Sequence, residues 1–166
     1  DAIEDDPEAA KAEWCGQFRS DLAAFVSRET VDSCIRSSPL EIPPNHQYRH
    51  HGFVDPSGGG QDSFTCAIGH LEGQTVVVDC LRGLKGTPSN IVEEYAKLLK
   101  SYGIQSINGD RYTGTWCADE FRKWNIDYCY SKKNKSELYK ELLPILNSGL
   151  IELPDDQILI NQLTLL

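Results

Sequence analysis

The chain has 166 residues, enough for one domain or one domain with an arm, and its 40% apolar content supplies a core. The formal charge of −9 excludes a uniformly basic nucleic-acid binder, but it is unevenly spread: residues 1–13 contribute −5 and leave −4 for the rest. Six cysteines without any C-x-x-C pair exclude finger spacing and a stapled scaffold, and no apolar run nears the length of a membrane span.

The acidic start (Asp1, Glu4, Asp5, Asp6, Glu8, Glu13) reads as a solvated helix start or linker. The chain opens on Asp and contains no Met, so it is expected to be a segment of something longer. Reduced cysteines in a cytosolic setting are expected, with Cys66 and Cys80 as small core residues.

Residues 7–36 read as helical, with Trp14, Phe18, Leu22, Phe25 and Val26 at three- and four-residue spacing. Pro39, Pro43 and Pro44 end that stretch as an extended linker. Strand patterns follow at 51–55, 63–70 and 75–81, with a glycine loop over 57–60 and a hairpin turn at Glu72-Gly73-Gln74. Three strands joined this way predict an antiparallel meander. Thr87-Pro88 then opens a helix whose apolar face (Ile91, Val92, Tyr95, Leu98, Leu99) runs to Gly103. A strand at 104–109, a helix at 115–124, a strand at 126–130 and a helix at 135–148 come next, with Pro144 at a kink or bend and Gly149 as C-cap. A short strand at 150–153 precedes a last helix opened by Asp155-Asp156. This order predicts an α/β fold: a mixed sheet, with an antiparallel meander plus parallel strands, flanked by helices.

Two segments carry the chemistry. Gly52-Phe53-Val54 delivers Asp55 at the end of the first strand, before Pro56 and the bulk-free Ser57-Gly58-Gly59-Gly60. Ile107-Asn108-Gly109 delivers Asp110 at the end of the fourth. A meander followed by a crossover makes those strands neighbours, so both carboxylates meet at one sheet edge and can hold Mg²⁺ or Mn²⁺ through oxygen. Such a pair suits phosphodiester cleavage. Taken singly, either aspartate is equally a turn residue or a cap. Asp62 is a rival set aside as a strand cap, and Asp79 is expected to face solvent. Strand alternation sends His50 and His51 to opposite faces, making them a poor metal pair; His70 shows no partner. Lys132, Lys133 and Lys135 form the basic cluster after the fifth strand, where they meet a phosphate backbone or simply solvate a loop. Arg111 either contacts phosphate or orients a carboxylate.

An ordered series of strings then marks a family. It comprises Phe53-Val54-Asp55-Pro56-Ser57-Gly58-Gly59 through Asp62-Ser63, Gly109-Asp110-Arg111-Tyr112-Thr113-Gly114-Thr115-Trp116, Ser131 with Lys135-Ser136-Glu137-Leu138-Tyr139, Leu146-Asn147-Ser148-Gly149, and Gln162-Leu163. Together they resemble the nuclease domain of tailed-phage terminase large subunits. Ala12-Glu13-Trp14, Phe18-Arg19 and Phe25-Val26 are similar to the segment leading from the terminase ATPase domain into its nuclease. The resemblance implies a ribonuclease H-like fold and a metal-dependent endonuclease that cuts concatemeric double-stranded viral DNA. Asp55 and Asp110 stand for the first and second acids of a two-metal Mg²⁺ or Mn²⁺ site. The third acid of the family lies in a string this chain does not contain, and so does the phosphate-binding loop of the motor.

The same resemblance implies residues 1–44 as a helical arm and linker toward an ATPase domain, and 45–166 as the nuclease domain. It further implies a small terminase subunit and a portal as partners, no membrane, and a place in the host cytoplasm at the procapsid. The alternatives are another ribonuclease H-like DNA enzyme, such as a transposase or junction resolvase, and a non-enzymatic interaction module whose acids only cap turns.

Overall fold

In the computed structural model, which describes residues 25–56, 62–110 and 115–166, seven strands form one mixed sheet. They are β1 (Ile35–Arg36), β2 (His50–Asp55), β3 (Phe64–Glu72), β4 (Thr75–Leu84), β5 (Ser106–Gly109), β6 (Asp127–Tyr130) and β7 (Ile151–Pro154). Their order across the sheet is β1-β7-β4-β3-β2-β5-β6. The described helices are α1 (Arg28–Ser33), α2 (Pro88–Ser101), α3 (Trp116–Lys123), α4 (Lys135–Asn147) and α5 (Gln157–Thr164).

Period-two patterning explains the meander. Phe64, Cys66, Ile68 and His70 of β3 are buried, and their neighbours in the strand are less so. β2–β3 and β3–β4 pair antiparallel; β2–β5, β5–β6, β4–β7 and β1–β7 pair parallel. Helical patterning explains the flanks. α2 begins with Pro88 after Thr87 and buries Ile91, Val92, Tyr95, Ala96 and Leu99. α4 begins with a capping box in which Asn134 and Glu137 satisfy each other's backbone N–H. Asp156 caps α5 by accepting from the Leu159 N–H at 2.9 Å, a structural role like the one its position suggested. Pro144 lies inside α4 rather than ending it.

Two cores result. One packs α2 and α3 on one sheet face around Phe64, Tyr95, Leu99, Ile107 and Phe121. The other gathers Val26, just before α1, and Val31, Leu146, Leu153 and Ile160 from α1, α4, β7 and α5, with Val76 and Val78 of β4 against it. Burial pushes the thiols of Cys66, Cys80 and Cys117 up to about 12, so they stay protonated as small apolar fillers.

Tyr95 of α2 ties the start of β3 to the end of β4, which pair there. Its Oη lies 2.6 Å from the Phe64 carbonyl and 3.0 Å from that of Arg82. Tyr95→Phe therefore removes a buried hydrogen bond while keeping the ring, and is expected to lower stability by about 1–2 kcal/mol. A shift of the urea midpoint with an unchanged slope checks it.

One reading of the sequence needs correcting. The helix expected over 7–36 falls partly outside the described residues. Within them, the helix stops at Ser33, and Ile35–Arg36 turn away as β1 to pair with Leu153 and Pro154. Two residues carry no periodicity of their own. The strand exists because β7 offers an edge.

Candidate active site

Sheet direction switches at β2, which pairs antiparallel with β3 on one side and parallel with β5 on the other. In open α/β sheets ligands gather at such a switch, beyond the carboxyl ends of the strands. The register sets Phe53 against Asn108 and Val54 against Gly109. One step further, Asp55 and Asp110 leave adjacent strands side by side, their backbones one strand spacing, about 4.8 Å, apart. Alternation gives their direction. His50, Gly52 and Val54 are buried on the α2 side, which leaves Phe53 and Asp55 to the opposite face. Ile107 and Gly109 are likewise buried, which sends Asn108 and Asp110 the same way as Asp55.

Both aspartates line one cavity of about 390 Å³. Its other walls come from Phe53, from Ser131 and Lys133 after β6, and from Lys135, Leu138 and Tyr139 of α4. α4 is aimed here by its capping box, so its first two turns form the wall facing the strand ends. Two carboxylates are a hard, anionic oxygen set, which fits Mg²⁺ or Mn²⁺ better than a softer ion.

The strand end carrying Asp110 is closely fitted. A Cβ on Gly109 would overlap the Tyr128 hydroxyl and stand 2.5 Å from the ring carbon bearing it. That hydroxyl donates to the Asp110 carbonyl at 2.9 Å. Tyr128 in turn stacks on Phe121, with centroids 6.0 Å apart. Glycine at 109 thus lets a core tyrosine reach through and fix the backbone of the acid.

The lysines divide. Lys133 and Lys135 line the cavity, whereas Lys132 is exposed outside its lining. Lys133 Nζ forms an ion pair with Glu141 of α4, a partner invisible from the local string. Residues 57–61 and Arg111 lie outside the described residues. Asp62 is exposed just before β3.

Two readings about the far end of the sheet are overturned. Asp79 does not face solvent: it is fully buried. His70 does have a partner: its Nδ1 lies 2.9 Å from both Asp79 carboxylate oxygens. Asp79 keeps step with the buried Val77 two residues before it. It is also the extra residue of a β-bulge, since the β3–β4 register pairs Ile68 with Cys80 but Gly69 with Val78, and the bulge leaves Asp79 and Cys80 both buried. Gly69 makes room, since a Cβ there would stand 2.6 Å from the Val77 carbonyl oxygen. An isolated glycine in a strand pattern was the readable signal. His50 completes the group, with Nε2 3.6 Å from Asp79 Oδ2. His51 is exposed on the other face, as alternation requires.

No protein-family model matches the chain, and no curated protein does. Solved structures do. The large terminase nuclease of thermophilic phage G20c with bound magnesium superposes with TM-score 0.70 at 18% identity, over 86% of this chain and 80% of that one. The large terminase nuclease domain of Thermus phage P74-26 gives 0.66 at 19% identity, over 86% and 77%. The HK97 bacteriophage large terminase gives 0.66 at 13% identity, over 86% of this chain and 36% of that longer one. On strand order, flanking helices and superposition, this chain has the ribonuclease H-like fold of the large-terminase nuclease domains.

Proposed function

We propose that this chain is the metal-dependent endonuclease domain of a viral DNA-packaging terminase, cutting concatemeric double-stranded DNA. The observation that carries this reading is the β2–β5 register, which brings Asp55 and Asp110 together at one cavity on the switch point of the sheet. The fold supports it, and so do the magnesium, zinc and cobalt bound in structures of one nuclease of that fold, from phage G20c.

In this reading Asp55 and Asp110 hold Mg²⁺ or Mn²⁺. A bound divalent cation supplies the charge that acidifies the attacking water and stabilises the leaving oxygen. The protein's own task is to orient the phosphate and to hold the two carboxylates close together. Lys135 at the cavity wall and the exposed Lys132 meet the DNA backbone; Lys133, shared with Glu141, meets it more weakly. Among the described residues no base-reading element lines the cavity, and slight sequence preference is expected. An ATPase domain, a small terminase subunit and the portal are the proposed partners, at the procapsid in the host cytoplasm. Among the described residues, no helix is long and apolar enough to cross a membrane.

Cation binding at this pair tests the reading directly. Mn²⁺ or Mg²⁺ at about 100 times its Kd should stabilise the protein by about 2.7 kcal/mol. Asp55→Asn and Asp110→Asn should each remove that gain in a thermal melt. A melting temperature indifferent to both cations would favour the non-enzymatic module.

A further inference from the structure

A second group of buried polar side chains lies at the opposite end of β2. We propose that His50, Asp79 and His70 form a second, structural metal site for a zinc-class divalent ion, independent of the Asp55–Asp110 pair. Asp55 stands five positions beyond His50, so the two sites lie about 17 Å apart along the strand.

The geometry points this way first. One donor atom from each of the three residues lies within 4.8 Å of the others, and all three side chains are buried. Each comes from a different strand: His50 from β2, His70 from β3, Asp79 from the bulge of β4. Two ligands of a tetrahedral ion bound at about 2.0–2.1 Å sit about 3.3 Å apart. Here His50 Nε2 is 3.6 Å from Asp79 Oδ2, and His70 Nδ1 is 2.9 Å from the same oxygen. The first separation is too long for a hydrogen bond and close to what a shared ion needs.

The charge balance points the same way. Asp79 is a fully buried carboxylate, and among the described residues its ion-pair partners are the two histidines. No lysine or arginine among the described residues pairs with it. A buried carboxylate calls for a compensating cation, and a divalent ion supplies one. Two imidazoles and one carboxylate suit zinc, cobalt or nickel, and suit magnesium poorly.

The surroundings resemble an outer shell. His70 Nε2 is buried without a hydrogen bond, and the Glu72 carboxylate stands 4.0 Å from it. Glu72 is itself oriented by the Tyr48 hydroxyl, which donates to it at 2.9 Å, and the Tyr48 ring stacks on His70 at 4.3 Å. A carboxylate behind a ligating imidazole is the usual second partner of such a ligand. A cavity of about 470 Å³ lined by His46, Tyr48, His50 and Tyr102 offers an entry path. Three protein ligands leave the fourth position to water. An ion here would rivet β2, β3 and β4 together across the bulge.

The test uses the full chain carrying Asp55→Asn and Asp110→Asn, stripped with a chelator and then dialysed, so that the strand-end pair cannot respond. Zn²⁺ titrated by calorimetry should bind at one equivalent and raise the melting temperature. Co²⁺ should give the intense visible bands of a tetrahedral site, and excess Mg²⁺ should not compete. His70→Asn and His50→Gln should each lose these signals, while His46→Ala and His51→Ala keep them. If a ligand variant fails to fold, the parent decides alone: Zn²⁺ must shift the ring ¹⁵N resonances of His50 and His70 and leave those of His46 and His51 in place. A folded, stripped parent that binds no Zn²⁺ would overturn the proposal and leave a metal-free His–Asp–His cluster. So would ligand variants that bind as the parent does. Neither result touches the nuclease reading, which rests on the other end of the strand.

Discussion

Asp55→Asn is expected to abolish metal-dependent cleavage of supercoiled plasmid, by a factor on the order of 10³ or more, without altering the fold. The substitution keeps the shape of the side chain and removes its charge. The residue is exposed at a strand end, so no buried contact is lost. What disappears is half of the anionic pair that would hold the cation beside the scissile phosphate. Asp110→Asn should behave alike, and the double variant should cost little more than either, because the two act as one unit. Gel assays in Mn²⁺, beside circular dichroism, check this. Cutting at the parental rate would remove Asp55 from the mechanism.

The second large effect lies just behind the site. Gly109→Ala should slow cleavage by about 10²-fold, since a displacement near 1 Å at a reacting group has that scale. It should also lower stability by about 1–3 kcal/mol through overpacking. The added methyl meets the Tyr128 hydroxyl and ring. Tyr128 cannot simply swing aside: it is stacked on Phe121 and set edge-on to Tyr130 at 5.1 Å. The ring must move and release the Asp110 carbonyl, or the strand end must move and carry Asp110 with it. Adding Tyr128→Ala to Gly109→Ala should recover part of the stability without restoring cleavage, a coupling that a double-mutant cycle measures. Gly109→Ala melting and cutting like the parent would show that the contact does not position the acid.

Much of this was legible in the chain. Alternation over β3 and β4, the turn at Gly73, and the apolar face of α2 specify a meander followed by a crossover. That topology makes β2 and β5 neighbours, and hence Asp55 and Asp110. What was not legible depended on partners distant in sequence. β1 is only a strand because β7 lies beside it. Lys133 reads as a free cation until α4 folds back with Glu141. Asp79 keeps step with the buried Val77, but the partners that hold it inside, His70 and His50, lie on other strands. A bulge reverses the inward and outward faces after it, as Cys80 shows by packing with Cys66 and Ile68 rather than beside Val78.

The borders of the sheet have a consequence for assembly. One described margin is the two-residue β1 and the other is the four-residue β6. Margins so short expose few unpaired amides and carbonyls, and they give another copy little template for strand addition. Among the described residues, these outermost strands therefore favour contact between copies through helices and loops, contacts that can break and re-form, over a sheet continued from one copy into the next.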